Sequence, residues 1–271
     1  MKKLLLAGAG GYIGSAFAAY LNQNFPGEYE LRSIRVRADD WKREDFSGFD
    51  SLLDFAGIAH IAETTENAHL YYEVNRDLAA ALAEKAKSEG VGQFVYLSSM
   101  SVYGMETGSI HAETPPSPVT HYGKSKLQAE RLLQALASDS FRVAILRPPM
   151  VYGEACKGNY AALVKIAERV PVFPSLKNQR SAVRIELLCA FLEQLVRQGD
   201  GGLFYPQDEQ YLCTSDTVRR IAQSRGKSLR LCPALNPFVR LAMCLPGKIG
   251  SKARKAFGDL IYDQGMSPRK T

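Results

Sequence analysis

Lys3-Leu4-Leu5-Leu6-Ala7-Gly8-Ala9-Gly10-Gly11-Tyr12-Ile13-Gly14 is the stretch that decides the fold. Its apolar start reads as a buried strand, and Gly8, Gly11 and Gly14 follow at G-x-x-G-x-x-G spacing. They open a helix predicted over about residues 13–22. Glycine-rich turns are common, but a strand before and a helix after turn this one into a nucleotide loop. Without Cβ atoms the backbone can approach a pyrophosphate, and the helix N-terminus offers unpaired N–H donors. A tight β–α turn without a ligand is the plainer alternative.

The rest of the first half alternates in the same way. Strands are predicted over 30–36, 51–56, 94–98 and 142–146. Between them lie a helix over 68–87, with Leu70, Val74, Leu78, Leu82 and Ala86 at four-residue steps, and another over 122–137. This alternation implies an α/β fold, a parallel sheet covered on both faces. Beyond Arg147 the pattern loosens. Residues 151–271 are read as a smaller lobe packed beside the sheet, not an independent domain.

With 46% hydrophobic and 23% charged residues among 271, the chain can bury a core, which excludes a disordered or fibrous class. No apolar run reaches the ~18 residues of a membrane span, and the apolar start breaks into glycines before a signal peptide is complete. Five scattered cysteines (156, 189, 213, 232, 244) form no C-x-x-C pair. The four histidines (60, 69, 111, 121) show no ligand spacing, so neither a disulfide framework nor a metal site is expected, and a cytoplasmic location is. The net charge of +6 does not point to nucleic acid: Thr217–Thr271 carries +10, leaving −4 on everything before it. That basic segment, around the apolar run 238–245, could touch an anionic membrane or a partner enzyme; solvated surface charge is the plainer reading.

The end of the second strand selects the cofactor in such folds: a carboxylate there binds the ribose of NAD, an arginine the 2′-phosphate of NADP. Here Arg35 and Arg37 stand there, with no carboxylate before Asp39. NADP(H) is therefore favoured over NAD(H), the alternative being two solvated strand-end charges. Downstream, Tyr122 and Lys126 share one helix face at i,i+4. An ammonium there would favour the phenolate of a tyrosine that ordinarily titrates near 10. A serine hydroxyl after the strand 94–98 would hold a substrate oxygen.

Taken together, these motifs resemble the extended short-chain dehydrogenase/reductase family, in its NAD-dependent epimerase/dehydratase branch. The matching stretches are Ala7–Gly14, Asp54–Gly57, Tyr71–Asn75, Ser98–Gly104, Tyr122–Lys126 and Leu146–Gly153. The resemblance implies Ser99, Tyr122 and Lys126 as the catalytic set. It implies a Rossmann-type doubly wound parallel sheet, with residues 1–150 as the NAD(P)-binding domain and 151–271 as a small C-terminal substrate-binding lobe. It also implies a cofactor site of Gly8, Gly11, Tyr12, Ile13, Gly14, Ala56, Gly57, Asn75 and Lys126. Arg35 and Arg37 join that site by position, Arg35 departing from the acidic residue of the NAD-using 4-epimerases. Substrate contacts would come from Ser99, Met100, Asn159 and Arg180, the last suited to a diphosphate. A nucleotide-sugar substrate, most simply UDP-linked, a role in polysaccharide biosynthesis and a homodimer through the helix 122–137 are further implications. Sugar dehydratases of the branch carry an Asp-Glu pair where Met100 and Ser101 stand, so dehydration is disfavoured. Reduction of a 4-keto sugar and 4-epimerisation remain, with Arg35 tipping the balance to reduction; a non-catalytic NADP-binding sensor or scaffold is the rival outside enzymology.

Overall fold

The computed structural model describes residues 1–59, 61, 63–156 and 158–266; His60, and Arg269 and Lys270 of the basic segment, lie outside the described residues. In chain order the strands are β1 (Lys2–Ala7), β2 (Tyr29–Ile34), β3 (Ser51–Asp54), β4 (Gln93–Leu97), β5 (Gly108–Ile110), β6 (Arg142–Leu146), β7 (Met150–Tyr152), β8 (Val172–Pro174), β9 (Ala182–Arg184), β10 (Gly202–Phe204), β11 (Arg230–Cys232) and β12 (Leu260–Tyr262). The helices are α1 (Tyr12–Asn24), α2 (Ala68–Tyr72), α3 (Leu78–Ser88), α4 (His121–Leu136), α5 (Asn159–Arg169), α6 (Ile185–Gln198), α7 (Thr214–Ser224), α8 (Asn236–Cys244) and α9 (Gly247–Phe257).

Two compact units divide the chain. The first comprises Met1–Gly104, Pro115–Pro149 and Arg184–Pro206. Its six strands pair in parallel in the order β10-β6-β4-β3-β1-β2. Leu5 and Ala7 of β1 join one buried cluster with Ala79, Leu82 and Ala83 of α3 and Leu133 of α4. The alternate residues Leu4 and Leu6 point to the opposite face and are equally buried. On α1, Phe17 and Leu21 are buried, and α1 packs along α6. Helices thus cover both faces, which is why the strands read as continuous apolar runs. This is the Rossmann-type sheet expected from the sequence.

The expected cut at 150 differs from this partition: α6 and β10 return to the sheet, β10 pairing with β6. Tyr29 donates to Glu193 of α6 at 2.6 Å and Lys2 to the Val196 carbonyl at 2.7 Å, tying α6 to the first strands. A three-residue strand between glycines and a proline shows no periodicity in the sequence. A second difference lies in the helix expected over 68–87. It contains a π-helical segment, Glu73–Asp77, between α2 and α3. Before α3 the buried residues are Tyr71 and Asn75, not Leu70 and Val74. Asn75 lies within the π-helical segment and is buried in step with Tyr71, Ala79 and Ala83.

The second unit comprises Met105–Thr114, Met150–Val183 and Gln207–Thr271. It holds three two-stranded pairs, β11 with β8, β12 with β5 and β7 with β9. Its core gathers Ala167 of α5, Phe173 of β8, and Val218, Ile221 and Ala222 of α7.

Candidate active site

The candidate positions Gly8, Arg35, Ala56, Gly57 and Ser99 lie just beyond the ends of β1, β2, β3 and β4. In the parallel register Ala7 faces Ile34 on one side and Asp54 on the other. The residues that follow, Gly8, Arg35 and Phe55-Ala56-Gly57, therefore sit together at the C-terminal edge. The chain leaves β1 for β2 on one side and returns to β3 on the other, which opens the crevice where such sheets bind ligands.

The glycine loop is shaped by close approach. A Cβ on Gly8, whose φ is +73°, would lie 2.6 Å from the Ala56 nitrogen. On Gly14 it would lie 2.8 Å from the Ala9 Cα. The Gly11 amide donates to the Gly8 carbonyl at 2.9 Å, folding the loop onto α1. Gly11 caps α1 without any side-chain hydrogen bond, and the first turn holds no acidic residue. Tyr12 and Ile13 begin that turn, so its N–H groups suit an anion. Arg35 and Arg37 are exposed beyond β2 and make no ion pair among the described residues. The fit to a dinucleotide is good: a cradle that a Cβ would fill, a helix N-terminus without a carboxylate, and a cation beside it.

Ser99, Tyr122 and Lys126 converge on the end of β4. Thr120 caps α4 by accepting from the Gly123 amide at 3.1 Å, and the Glu63 carboxylate accepts from the amides of His121 and Tyr122 at 3.1 and 2.9 Å. The Ser99 hydroxyl donates to Ser101 Oγ at 3.2 Å, and the Tyr71 ring meets Tyr122 edge-on at 6.4 Å between centroids. Burial raises the Tyr122 phenol above its ordinary range, Ser99 pulls it down, and Tyr71 adds to the rise. Lys126 donates to the Leu97 carbonyl at 2.8 Å and lies 4.5 Å over the Tyr96 ring. Burial lowers its pKa to about 8, against the charges of Asp54 and Glu130. The sequence reading has Lys126 drawing Tyr122 towards the phenolate. In the resting protein desolvation dominates both groups, and Tyr122 is a protonated phenol, able to donate.

Gly57 and Asn75 belong to the same cluster: a Cβ on Gly57 would lie 3.2 Å from Asn75 Oδ1 and 3.4 Å from Lys126 Nζ. Asn75 is fully buried; it accepts from the Ile58 amide at 2.8 Å and donates to the Ile58 carbonyl and to Ser125 Oγ, both at 3.1 Å. It thus braces the loop after β3. Met100 follows Ser99 and donates its amide to the Pro148 carbonyl at 3.0 Å. Asn159 and Arg180 belong to the second unit. Asn159 is the first residue of α5, after Gly158 at φ +82°. Arg180 donates to the Gly258 carbonyl at 2.9 Å, and its main chain bridges Leu212. Cys156 lies in the loop beyond β7, short of α5.

Sequence reasoning overlooked two buried features beside the site. Asp54 ends β3 with its carboxyl pushed up to about 6 by burial, Lys126 and the Ala56 amide acting against that. Its Oδ2 has no hydrogen-bond partner among the described residues. Arg147, after β6, makes a two-pronged ion pair with Glu130, Nε to Oε1 at 3.0 Å and Nη2 to Oε2 at 2.6 Å. Arg147 also donates to the Tyr103 hydroxyl at 2.8 Å, and Ser98 donates to Glu130. A signal for Glu130 was present: it continues the i,i+4 face of Tyr122 and Lys126.

A six-stranded parallel sheet with a glycine loop at its switch point and a Ser–Tyr–Lys cluster at a neighbouring strand end defines a dinucleotide-binding α/β protein. The chain belongs to the NAD dependent epimerase/dehydratase family, whose model matches residues 4–186. It is 29% identical over 253 residues to the UDP-glucose 4-epimerase of Vibrio cholerae, covering 83% of this chain and 76% of that protein. In fold it is similar to the UDP-glucuronic acid 4-epimerase of Bacillus cereus in complex with NAD, with TM-score 0.72 and 18% identity over 99% and 94% of the two chains. It is also similar to the dTDP-4-dehydrorhamnose reductase of Bacillus anthracis in complex with NADP, with TM-score 0.67 and 16% identity over 95% and 99%.

Proposed function

We propose that this protein is an NADP(H)-dependent oxidoreductase that reduces a 4-keto sugar carried on a nucleoside diphosphate, most simply UDP. The observation that carries the reading is a buried, protonated Tyr122 whose phenol feels the Ser99 hydroxyl, one helical turn from Lys126. The bound nicotinamide supplies hydride to the sugar carbon. Ser99 Oγ holds the carbonyl oxygen, and the Tyr122 phenol gives it a proton as negative charge develops there. The resulting phenolate is favoured by the ammonium of Lys126, which Leu97 and Tyr96 hold in place. The loop Gly8–Gly14 receives the cofactor pyrophosphate, with Tyr12 and Ile13 lending amides. Arg35 and Arg37 receive the 2′-phosphate; Ala56 and Gly57 line the adenosine side. Asn159 and Arg180 bind the substrate diphosphate, and Met100 lies against the sugar. No carboxylate stands at positions 100 and 101 to move the protons of a dehydration. The active form is a homodimer through α4, on which Leu132 is exposed.

The second reading is 4-epimerisation by the same residues, favoured by the names of the Vibrio cholerae and Bacillus cereus relatives. In it Tyr122 first takes the hydroxyl proton and later returns it. An epimerase regenerates its cofactor at every turnover and gains little from choosing NADP, whereas a net reductase draws on the NADPH pool. A non-catalytic sensor has no use for an intact Ser99, Tyr122 and Lys126. Incubation with UDP-sugars and their 4-keto forms, with each cofactor in turn, separates the readings. Stoichiometric consumption of NADPH is expected; isomer formation without it makes the protein an epimerase, and neither makes it a sensor.

A further inference from the structure

Within the second unit, α8 and α9 pack together as a helical hairpin closed by a tight turn. A Cβ on Gly250 would fall 1.7 Å from the Leu245 carbonyl oxygen, so the two helices can meet there only at glycine. Arg254 donates to the carbonyls of Met243 at 2.9 Å and Leu245 at 3.3 Å, satisfying orphan acceptors at the end of α8. Glu106 in turn accepts from Arg254 Nε at 2.8 Å and from Ser251. The hairpin is therefore a built element rather than a loose end.

What it presents outward is unusual for a protein surface in water. None of the α8 residues is buried. Phe238, Leu241, Leu245 and Ile249 are 70%, 64%, 40% and 65% exposed, and the first three recur at i, i+3, i+7, a single stripe. From Thr217 to Gly258 the sequence contains no Asp or Glu. Arg254 and Lys255 face Glu106, but Arg240, Lys248 and Lys252 have no ion pair or hydrogen bond among the described residues. Exposed apolar side chains on one hairpin, set among unneutralised cations, call for a partner that is apolar inside and anionic at its face.

We propose that the α8–α9 hairpin docks the protein on the surface of an anionic lipid bilayer. The apolar stripe enters the boundary between headgroups and acyl chains, while Arg240, Lys248 and Lys252 meet lipid phosphates. A second copy of the same face is a poor occupant, because it would set these cations against their own kind. The proposal is independent of the reaction assigned above, and its readout is binding alone.

The test is co-sedimentation of the full chain with phosphatidylcholine vesicles, with and without phosphatidylglycerol. Binding is expected only with the anionic lipid, and raising the salt should weaken it. Lys248→Glu with Lys252→Glu should weaken it by at least about fivefold per cation lost. Phe238→Ser with Leu241→Ser should abolish it while circular dichroism and the melting curve stay as in the wild type. Absence of binding, equal binding to both vesicles, or binding indifferent to both double variants would overturn the proposal. So would a concentration-dependent dimer, seen by light scattering, that Phe238→Ser with Leu241→Ser dissolves, since the face would then be a protein interface.

Discussion

The ammonium of Lys126 donates to the carbonyl oxygen of Leu97 across 2.8 Å, at the point where β4 ends. Burial lowers the Lys126 pKa to about 8, and of the two carboxylates that oppose this fall Asp54 has the larger effect. A group lowered in this way is charged below that pH and loses its proton as pH rises through it. If the reaction needs the ammonium, kcat/KM falls on the alkaline side with a midpoint near 8. Asp54→Asn removes the supporting charge and should move that limb to lower pH. A pH–rate profile of both proteins checks it; an unmoved limb would separate Lys126 from the titration.

Tyr122→Phe deletes the proposed proton donor and leaves the ring that Tyr71 touches. Turnover should fall by ~10²–10⁴-fold. Cofactor affinity should hardly change, because no cofactor contact is assigned to the phenol. Steady-state rates and fluorescence titration on the same preparation read both quantities.

Arg35 stands exposed after the strand that pairs with β1, with no ion-pair partner among the described residues. Charge-assisted hydrogen bonds contribute about 1.5–3 kcal/mol each, roughly ten- to 150-fold in affinity. NADPH should bind at least about tenfold more tightly than NADH, and Arg35→Asp should reverse that order. Calorimetric titration of both cofactors decides; equal affinities would make Arg35 a solvated strand-end charge and return epimerisation to the lead.

Gly10 and Gly14 share one loop but differ in freedom. Nothing lies within 4 Å of a Cβ built on Gly10, whereas on Gly14 it meets the Ala9 backbone at 2.8 Å. Gly14→Ala should cost about 1–3 kcal/mol of stability, the usual range for overpacking, and should weaken cofactor binding. Gly10→Ala should be tolerated in both respects. Urea unfolding with and without NADPH measures the contrast.

Glu130 and Arg147 are 1% and 6% exposed, so their ion pair is cut off from water. Burial works against the Arg147 charge, and the hydrogen bonds and charge of Glu130, together with Tyr103, more than offset it. Glu130→Gln leaves an uncompensated guanidinium and should destabilise the protein by about 3–5 kcal/mol. Glu130→Leu combined with Arg147→Met should recover most of that loss. Urea unfolding of the two variants compares them directly.

The sheet and its loop were legible because their signals are local. An apolar strand, glycines at fixed spacing and a helix sit within the first twenty-four residues, and β1 to α1 follow that reading closely. Tyr122 and Lys126 were legible through their i,i+4 spacing, and Ser99 through its resemblance to the family. Less accessible were contacts made across long stretches of chain. Asn75 is buried in step with Tyr71, Ala79 and Ala83, one position away from the stripe through Leu70, Val74 and Leu78 that the apolar residues suggest, because a polar amide gives no hydrophobic signal for its face. The resting state of Tyr122 depends on burial, and burial depends on Tyr71 and the loop carrying Glu63. Strand β10 carries too few residues to show a pattern, and its place beside β6 follows from tertiary pairing alone.

The late return of Arg184–Pro206 to the first unit also has a consequence for synthesis on the ribosome. When Pro149 has been added, β6 has its β4 neighbour but its other edge is open, and α6 does not yet exist to lie along α1. The last residue of that unit is 206, fifty-seven additions later. At ~5–20 residues per second that interval lasts about 3–11 s. Throughout it the nascent chain carries an unpaired parallel edge and the bare apolar flank of α1, both invitations to pairing with another chain. The cofactor loop is thus translated first, in a sheet that is finished only once the sequence has travelled through the whole of the second unit's middle segment.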